Sequence, residues 1–589
     1  MTEKGRNMKN NYKSIKLTAL LLVVVMLGAL LTGCGLLLGY DDEQFGYMMD
    51  EVLVSMFTGD GISVNILLEN PSAMGLADQT ATLPLPPFDK DEYEDGTEQV
   101  KQIATMFRFV NGMYLTEADK CTKETIIDFF TTYSKYSEFY YLSSRDYIGV
   151  NDGWNVMLPL YLDKLAFKTE NDVKNWISLV NQTEHAFSEY ARFENKVLIP
   201  AGYERAKSTY TGIAEQCEDM AQKNGDEHFV YELFLDKISK VDFLTTAQKE
   251  EYTSQARSAV DVMIKAYKNI AAEMRLCAIR TFIEEEKPIA QYDEGKEYYE
   301  LIFKDNASTS DSIETARDNL LYAFNSTLTK YYQLMEEIDY YQPSADMSME
   351  AIQGYYDTLK SQYSNDFPAL NSNIPDATFF EVPEALGEVY NPASYFKSAI
   401  DSLTAPETIY INKENVGSYL GFDIISHEGL PGHMLQHAYF KSTGVHPLRS
   451  VLGYTGYAEG WASYAQFYSA KYYPGTEVDK RAYEAKCLYD KAMLYFSTLI
   501  DIEINYYGKT YEQMTKHALY SQVFDGSNSS KETYNYMVQN PAVYSSYGYG
   551  NYKMEQLRGK FKGTDYEFHK AVLSMGPTTF EILAKYILN

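Results

Sequence analysis

Cysteine and histidine are scarce in this sequence, which limits the kinds of metal and redox site it can form. The 589 residues include only five cysteines and eight histidines. The four cysteines beyond residue 100 are far apart and form no C-x-x-C unit, which argues against a zinc ribbon or a dithiol redox motif. We expect them to be buried as small apolar residues; they are Cys121, Cys217, Cys277 and Cys487.

Positive charge is also in deficit. The chain has 52 Lys and Arg residues against 82 Asp and Glu residues, a formal net charge of −30 at pH 7. Removing residues 1–33, which hold five basic residues and one acidic residue, leaves −34. So acidic a chain disfavours nucleic acids and anionic lipid surfaces as binding partners.

The N-terminus has the layout of a bacterial export signal. Five basic residues precede an uncharged apolar run, Leu17–Gly39, in which Leu31-Thr32-Gly33-Cys34 resembles a lipobox. We predict that residues 1–33 are a lipoprotein signal peptide and that Cys34 carries the lipid. The protein would then be anchored to the bacterial cell membrane by this lipid and face outside the cytoplasm. An uncleaved anchor helix is the alternative, because 23 uncharged residues can span a bilayer.

Three of the eight histidines fall within eleven residues, in and just after the segment 426–433. His427 and His433 are followed, 26 residues later, by Glu459. Two histidines and a distant glutamate are one standard ligand set for catalytic zinc, with the fourth position left to water. Glu428, beside the first histidine, is placed to act as the general base toward that water. The pattern predicts a zinc hydrolase, and a peptidase in particular.

The spacing of the two histidines predicts a break in the helix between them. Six residues correspond to about 240° around an ideal helix, so an unbroken helix cannot bring both to one ion. Pro431 has no N–H for the carbonyl of His427, and Gly432 lets the chain turn back. We predict a helix ending near His427, a bulge over residues 429–432, and a second helix from His433. A Pro-Gly corner with two incidental histidines is the structural alternative.

A competing ligand pair exists within the same segment. His433 and His437 are four residues apart and would share one face of a helix. That pair lacks a glutamate after its first histidine, where Met434 stands, and it leaves His427 without a role. We therefore expect His437 to support the site or the fold, not to bind the metal.

Four segments resemble the bacterial domain-of-unknown-function 885 family. They are residues 427–433, with His-Glu-x-x-Pro-Gly-His, residues 457–464, with Tyr-x-Glu-Gly-Trp-Ala-x-Tyr, and the more divergent stretches 541–550 and 568–576. The resemblance is specific over about residues 375–589 and weak before that. It implies a gluzincin-like zinc peptidase with the ligands and base named above. Gln466 and Val543 depart from the residues usual in the family, which puts polar contacts around the ligands in doubt.

Helical periodicity dominates the first part of the chain, as in the apolar stripe over residues 260–277. Residues 408–412 read as a short strand, either one that pairs with substrate or a core strand of a small sheet. We predict a mainly α, multi-helical, two-lobed metallopeptidase-like architecture with a small β-sheet near the active site. Residues 34–374 would form a helical N-terminal region and residues 375–589 the zinc-binding catalytic region.

Three further side chains are candidates for supporting roles. Asp423, one turn before His427, is placed to hydrogen-bond a ligand imidazole, although a solvated helix position is an equal reading. The charge that develops on a substrate carbonyl requires a hydrogen-bond donor. Tyr547 is the first choice because it lies in a family-like stretch rich in glycine, and Tyr457 is the second.

The sequence thus predicts an exported, lipid-anchored zinc-dependent peptidase that acts on peptide substrates. One alternative is an extracytoplasmic solute- or glycan-binding lipoprotein that uses its 54 tyrosines for stacking. A degenerate peptidase fold kept as an interaction protein is another, although all proposed ligands and the base are present. The sequence leaves the oligomeric state, the endo- or exopeptidase action and the side-chain specificity open.

Overall fold

Helices make up most of the protein, and the only strands in the part described form one small sheet. The structure is a computed structural model that describes residues 42–338, 343, 346–382, 387, 391–413 and 420–588. The predicted signal peptide and Cys34 lie outside these residues. A mainly helical fold with a small sheet is therefore confirmed, whereas a two-lobed peptidase-like architecture stays a prediction.

The helices before the sheet are α1 (Asp42–Phe57), α2 (Gly61–Leu67), α3 (Lys90–Phe109), α4 (Glu117–Ser134), α5 (Tyr140–Ser143), α6 (Trp154–Lys164), α7 (Glu170–Phe193), α8 (Lys207–Met220), α9 (Phe229–Lys240), α10 (Thr246–Arg280), α11 (Gly295–Asn306), α12 (Ile313–Glu337) and α13 (Met349–Gln362). The strands are β1 (Ala377–Glu381), β2 (Ala393–Phe396) and β3 (Glu407–Ile411). The helices after the sheet are α14 (Gly421–Glu428), α15 (His433–Ser442), α16 (Leu448–Val451), α17 (Thr455–Tyr468), α18 (Glu477–Asp501), α19 (Tyr511–Thr515), α20 (Asn528–Gln539), α21 (Gly550–Lys560), α22 (Asp565–Met575) and α23 (Phe580–Ile587).

The long helix α10 illustrates which sequence features determine where a helix begins and which of its faces is buried. Thr245 accepts a hydrogen bond from the backbone N–H of Gln248, whose side chain in turn caps the N–H of Thr245. Such a capping box satisfies two N–H groups that lack partners within the helix. The apolar stripe predicted over residues 260–277 is buried along its whole length, so it forms core, as its helical period indicates.

The sheet has the order β1-β3-β2. β3 pairs in parallel with β1 and antiparallel with β2, and is therefore the central strand. The predicted strand at 408–412 is thus confirmed as a core strand. Its possible role in pairing with substrate is wrong, because both of its edges are occupied by neighbouring strands.

Buried apolar side chains form three clusters, and the one around the candidate site draws on both ends of the chain. It combines residues between 45 and 130 with residues between 352 and 587. The predicted division near residue 374 is therefore crossed by a shared core. The four cysteines are unpaired and buried, as expected.

Candidate metal centre

Three side chains from three helices converge on one point. His427 comes from the last turn of α14, His433 from the first residue of α15, and Glu459 from α17. Oε2 of Glu459 lies 3.4 Å from Nε2 of His427 and 3.4 Å from Nε2 of His433. One ligand atom from each residue lies within 4.8 Å of the others, and among the described residues no other group of three or more His, Cys, Asp or Glu has this geometry.

The break between the two histidines has the form predicted from their spacing. Helix α14 ends at Glu428 and α15 begins at His433. A Cβ atom added to Gly432 would lie 1.8 Å from the carbonyl oxygen of His427, so no other residue fits there without moving the backbone. Glycine is thus required for this close approach, which folds the second histidine back beside the first. The indole N–H of Trp461, on α17, donates to the carbonyl of Pro431 over 3.1 Å and ties the bulge to the helix of the third ligand.

Close backbone contacts also fix the helix that carries Glu459. A Cβ at Gly456 would lie 2.2 Å from the backbone of Ala307, and one at Gly460 would lie 2.6 Å from the backbone of Gly550. Because Gly456 and Gly460 flank Glu459 on α17, the two contacts hold this helix tightly against α11 and α21. The position of Glu459 is therefore set by packing with elements far away in sequence.

The electrostatics of the cluster fit a bound cation. Burial favours the neutral form of Glu459, but His433 and His427 outweigh burial and lower its pKa to about 2. Burial likewise acts to lower the pKa of His433, but the carboxylates of Glu459 and Glu428 outweigh it and raise that pKa. Oε2 of Glu459 is buried and has no hydrogen-bond partner among the described residues. A buried charged oxygen that accepts no hydrogen bond is costly, and a coordinated ion would remove that cost.

The spacing of the ligand atoms is compatible with a tetrahedral metal ion such as zinc. Zinc binds histidine nitrogen and carboxylate oxygen at about 2.0–2.2 Å in a tetrahedron, which places ligand atoms roughly 3.3–3.6 Å apart. Both distances from Glu459 to the histidines are 3.4 Å. The side chains of the three residues keep 16–17% of their surface exposed. The residues present therefore fit a zinc ion with one open position.

Gln466, not Asp423, contacts the imidazole of His427. Nδ1 of His427 lies 3.1 Å from Oε1 of Gln466 on α17. An amide oxygen accepts, so Nδ1 donates its proton and Nε2 is left unprotonated toward Glu459 and the ion site. Gln466 lies seven residues after Glu459, which is about two helical turns, so both side chains share one face of α17. That spacing is the signal by which the sequence could have revealed Gln466.

The predicted contact of Asp423 with a ligand is wrong. Its carboxylate is 1% exposed and accepts hydrogen bonds from the backbone N–H of Leu420 at 2.9 Å, from the ammonium of Lys486 at 2.6 Å, and from the hydroxyl of Tyr483. Asp423 therefore caps the start of α14 and pairs with α18. Asp423 influences His427 only by stabilising the helix that carries it, because its carboxylate is paired with Lys486 on α18 and not with the imidazole.

We predict that loss of Gln466 weakens zinc binding without abolishing it. Gln466→Ala removes the acceptor that orients His427, and contacts of this kind are worth about 10–100-fold in metal affinity. Gln466→Glu keeps an acceptor oxygen and is expected to bind zinc at least as tightly as the wild type. Competition with a chromophoric chelator measures both affinities; equal affinities for Gln466→Ala and the wild type would contradict the assignment.

Glu428 is held beside the cluster by the edge of the sheet. Its Oε2 accepts a hydrogen bond of 2.7 Å from the backbone N–H of Tyr395 in β2. Among the described residues this is the one hydrogen bond to the Glu428 side chain, so Oε1 stays available. The N–H of Tyr395 points away from β3, and no described strand pairs with this side of β2. Sequence reasoning missed β2, whose four residues carry no strong strand pattern.

His437 does not join the cluster. It is buried, and its Nε2 lies 3.0 Å from the carbonyl oxygen of Ser398. Burial lowers the pKa of His437 to about 3, which keeps the imidazole neutral. Its Nε2 therefore donates to Ser398 and fixes the chain after β2 against α15. The competing pair of His433 and His437 is not formed.

The two candidate tyrosines lie in different surroundings. Tyr457 is fully buried, and its hydroxyl donates to the carbonyl of Val572 over 3.0 Å. Its hydrogen is thus committed to the packing of α17 against α22, which argues against a role at the metal. Tyr547 is half-buried in the π-helical segment Ser545–Tyr549, which contacts α17. Its role as hydrogen-bond donor stays a prediction.

No helix among the described residues is long and apolar enough to cross a membrane.

Two solved structures share the fold. One, described as a "putative lipoprotein" from Colwellia psychrerythraea, is 16% identical, has a TM-score of 0.78, and is matched over 93% of this chain and 98% of that one. The other, described as a "putative lipoprotein of unknown function" from Shewanella oneidensis, is 14% identical, has a TM-score of 0.61, and is matched over 94% of this chain and 100% of that one. Among curated proteins, none matches the chain.

A family model described as "Bacterial protein of unknown function (DUF885)" matches residues 71–587. The match therefore also covers the region before residue 375, in which the sequence motifs alone show only a weak resemblance. It includes every proposed ligand and the proposed base. Since it covers most of the chain, the protein belongs to this DUF885 family.

Proposed function

We propose that the protein is a zinc-dependent peptidase, exported and held to the bacterial cell membrane by a lipid. The observation that carries this proposal is the convergence of His427, His433 and Glu459, with the carboxylate of Glu428 fixed beside them. Three ligands with one open position are typical of catalytic zinc, whereas structural zinc sites are closed by four protein ligands.

His427, His433 and Glu459 would hold the ion, which when bound supplies an activated water and polarises the carbonyl to be attacked. Glu428 would take the proton of the attacking water through Oε1, since Oε2 is occupied by the N–H of Tyr395. The same carboxyl group would then pass the proton to the leaving amine. Tyr547 would donate a hydrogen bond to the carbonyl oxygen as its charge grows.

The free edge of β2 supports a peptide as the substrate. On this edge the N–H of Tyr395 is already taken by Oε2 of Glu428, so the other outward backbone groups of β2 would be the ones to bind a substrate. An extended peptide can add to an exposed edge through backbone hydrogen bonds, which bind the main chain without demanding a particular side chain. Such a peptide would lie alongside Glu428, where its carbonyl groups can reach the cluster.

The direct test of this function is cleavage of a mixed peptide library by residues 35–589, with and without a chelator. Mass spectrometry of the products reports the cleaved bonds and separates endopeptidase from exopeptidase action. We expect cleavage that stops in chelator and returns with zinc. Absence of cleavage from every zinc-loaded preparation would contradict the proposal.

The lipid anchor depends on Cys34, which lies outside the described residues. The two structures of similar fold are described as lipoproteins, which supports the same location for this chain. We predict that Cys34→Ala abolishes metabolic labelling with a lipid probe and blocks normal processing, because lipidation occurs on this thiol. Hydrolysis by the solubilised protein is expected to be unchanged. An unlabelled wild-type chain would favour the uncleaved anchor helix instead.

A solute-binding lipoprotein is the second candidate. One cavity of about 180 Å³ is lined by aromatic and charged side chains, among them Tyr133, Tyr136, Arg145, Arg205 and Asp305. Such a lining suits a small polar ligand. The cavity includes none of the proposed metal ligands, so this function leaves the cluster unexplained, and metal dependence of any activity separates the two candidates.

A further inference from the structure

The cavity of about 180 Å³ is built by parts of the chain that are far apart in sequence. Its walls come from residues 129–152, 205–209, 286–306, 453 and 538–543, and none of the proposed metal ligands lines it. A space of this size holds several water molecules, at about 30 Å³ each. The cavity therefore has room for a molecule of the size of an amino acid.

Arg205 lines the cavity with a buried donor that makes no hydrogen bond. The residue is 7% exposed, and its Nη2 donates to the backbone carbonyl of Arg145. Its Nε has no hydrogen-bond partner among the described residues. Glu194 lies 3.6 Å from this Nε and supplies a counter-charge, but its Oε1 already accepts a hydrogen bond of 2.6 Å from the hydroxyl of Tyr210. Because an unsatisfied buried N–H costs free energy, an acceptor on a ligand would stabilise this part of the wall.

The guanidinium of Arg145, which also lines the cavity, is held by an aromatic ring. It lies 5.2 Å from the centroid of the Tyr292 ring, which is stacked in turn on Tyr203 at 5.4 Å. In the part of the chain that the structure describes, it donates no hydrogen bond and forms no ion pair with a carboxylate. A guanidinium stacked on a ring keeps its in-plane N–H groups available for an acceptor. Since Arg205 donates to the carbonyl of Arg145, both arginines belong to one region of the wall.

The lining also carries negative charge and aromatic rings. Oδ2 of Asp305 accepts a hydrogen bond of 2.6 Å from the hydroxyl of Tyr136, whose ring packs against that of Tyr298 at 6.3 Å. A carboxylate beside tyrosine rings suits an ammonium group, which both attract. A ligand with several negative charges would be repelled, because four acidic residues line the cavity against three basic ones: Asp146, Asp152, Glu286 and Asp305 against Arg145, Arg205 and Lys287.

We propose that the cavity binds a small zwitterion of the α-amino acid type. Its carboxylate would accept hydrogen bonds from Arg145 and from Nε of Arg205, since the fork of a guanidinium matches the planar geometry of a carboxylate. Its ammonium group would lie against Asp305 and the rings of Tyr136 and Tyr298. This inference goes beyond the proposed peptidase function and does not depend on it, because no proposed metal ligand lines the cavity.

Isothermal titration calorimetry of residues 35–589 with each common L-amino acid tests for such a ligand. For the amino acid that binds most tightly we expect a Kd of about 1 mM or lower, which is within reach of a ligand with few atoms. Its amide lacks the carboxylate and its N-acetyl derivative lacks the ammonium group, so each is expected to bind about tenfold or more weakly. Absence of binding by every amino acid, equal binding of either derivative, or tighter binding of inorganic phosphate would overturn the inference.

Two variants test the two ends of the ligand separately. Arg145→Met is expected to weaken binding of the amino acid by about tenfold or more and to leave the affinity for its amide unchanged, because the amide has no carboxylate to lose. Asp305→Asn can still accept from Tyr136, and it is expected to weaken binding of the amino acid but not of its N-acetyl derivative. Arg192→Met is the matched control, since Arg192 lies over the ring of Phe88 at 4.2 Å but does not line the cavity. Undiminished binding in Arg145→Met or in Asp305→Asn would overturn the inference.

An amino acid can also coordinate a zinc ion through its nitrogen and oxygen atoms, so a variant without the metal identifies the place of binding. His433→Ala, from which most of the zinc is expected to be lost, should bind the amino acid with the Kd of the wild type. Loss of binding in His433→Ala with unchanged binding in Arg145→Met would place the amino acid at the metal centre and overturn the inference. If no peptide is cleaved while His433→Ala still binds the amino acid, the peptidase function fails and the cavity site stands.

Discussion

Alanine at His427, His433 or Glu459 is expected to remove most of the zinc from the protein, whereas alanine at His437 is not. Each of the first three supplies one of three ligand atoms, so its loss should cost more than the roughly 10–100-fold in affinity that a supporting contact is worth. His437 donates to the carbonyl of Ser398, so its loss affects packing and not coordination. Metal analysis of purified residues 35–589 should give about one zinc per chain for the wild type and for His437→Ala.

Circular dichroism and thermal unfolding of the same preparations control for misfolding. His437→Gln is a useful companion variant, because its amide can still donate to the carbonyl of Ser398. Full zinc content in His433→Ala together with loss of zinc in His437→Ala would indicate that His437 binds the metal and would contradict the proposed ligand set. Full zinc content in all four alanine variants would place the metal elsewhere.

Glu428→Gln is expected to keep its zinc and lose its activity. Glutamine has the size of glutamate, and its amide oxygen can still accept the hydrogen bond from the N–H of Tyr395, so the geometry is preserved. It cannot accept the proton of the attacking water, and general base catalysis contributes about 10²–10⁴-fold to such reactions. Hydrolysis at saturating peptide should fall by a factor in this range while zinc content stays at the wild-type value.

The matched control for this variant is Glu428→Asp, which keeps the carboxylate but withdraws it by one methylene group. It should retain more activity than Glu428→Gln if proton transfer is the role of Glu428. Cleavage by Glu428→Gln at nearly the wild-type rate would mean that another group acts as the base, and the proposed mechanism would have to be abandoned.

The local geometry of the two proposed histidine ligands could be predicted from sequence because it depends on residues close together in the chain. The six-residue spacing of the histidines, Pro431 and Gly432 together require a bulge, and the structure has one between α14 and α15. The sequence did not reveal the steric reason why position 432 must be glycine. The residue is needed because the carbonyl of His427 lies where a side chain would begin.

The contacts around the ligands were harder to predict, since they come from distant elements. Asp423 is one helical turn from His427, but Lys486 on α18 approaches from the other side and satisfies its carboxylate. Gln466 shares a face of α17 with Glu459, yet its contact with His427 depends on how α14 crosses α17. Periodicity within one helix predicts on which face of the helix a residue lies. Which residue it contacts depends on how two helices pack against each other.

The sheet also shows that contacts between distant elements are hard to predict from sequence. The pattern of residues 408–412 predicts a strand, and β3 is there, but strand order is set by long-range pairing that the pattern does not contain. The edge beside the metal centre belongs to β2, whose four residues are too few for a periodic signal. For this reason the hydrogen bond from Tyr395 to Glu428 emerges only from the fold.

Titration of the metal-free protein with zinc, with peptide hydrolysis measured at each addition, tests the central claim most directly. A single site formed by His427, His433 and Glu459 predicts that hydrolysis rises in proportion to added zinc and stops rising at one equivalent per chain. The rise should be absent in Glu459→Ala. Hydrolysis that is independent of zinc, or a chain that binds one equivalent and cleaves no peptide, would contradict the account of a zinc-dependent peptidase.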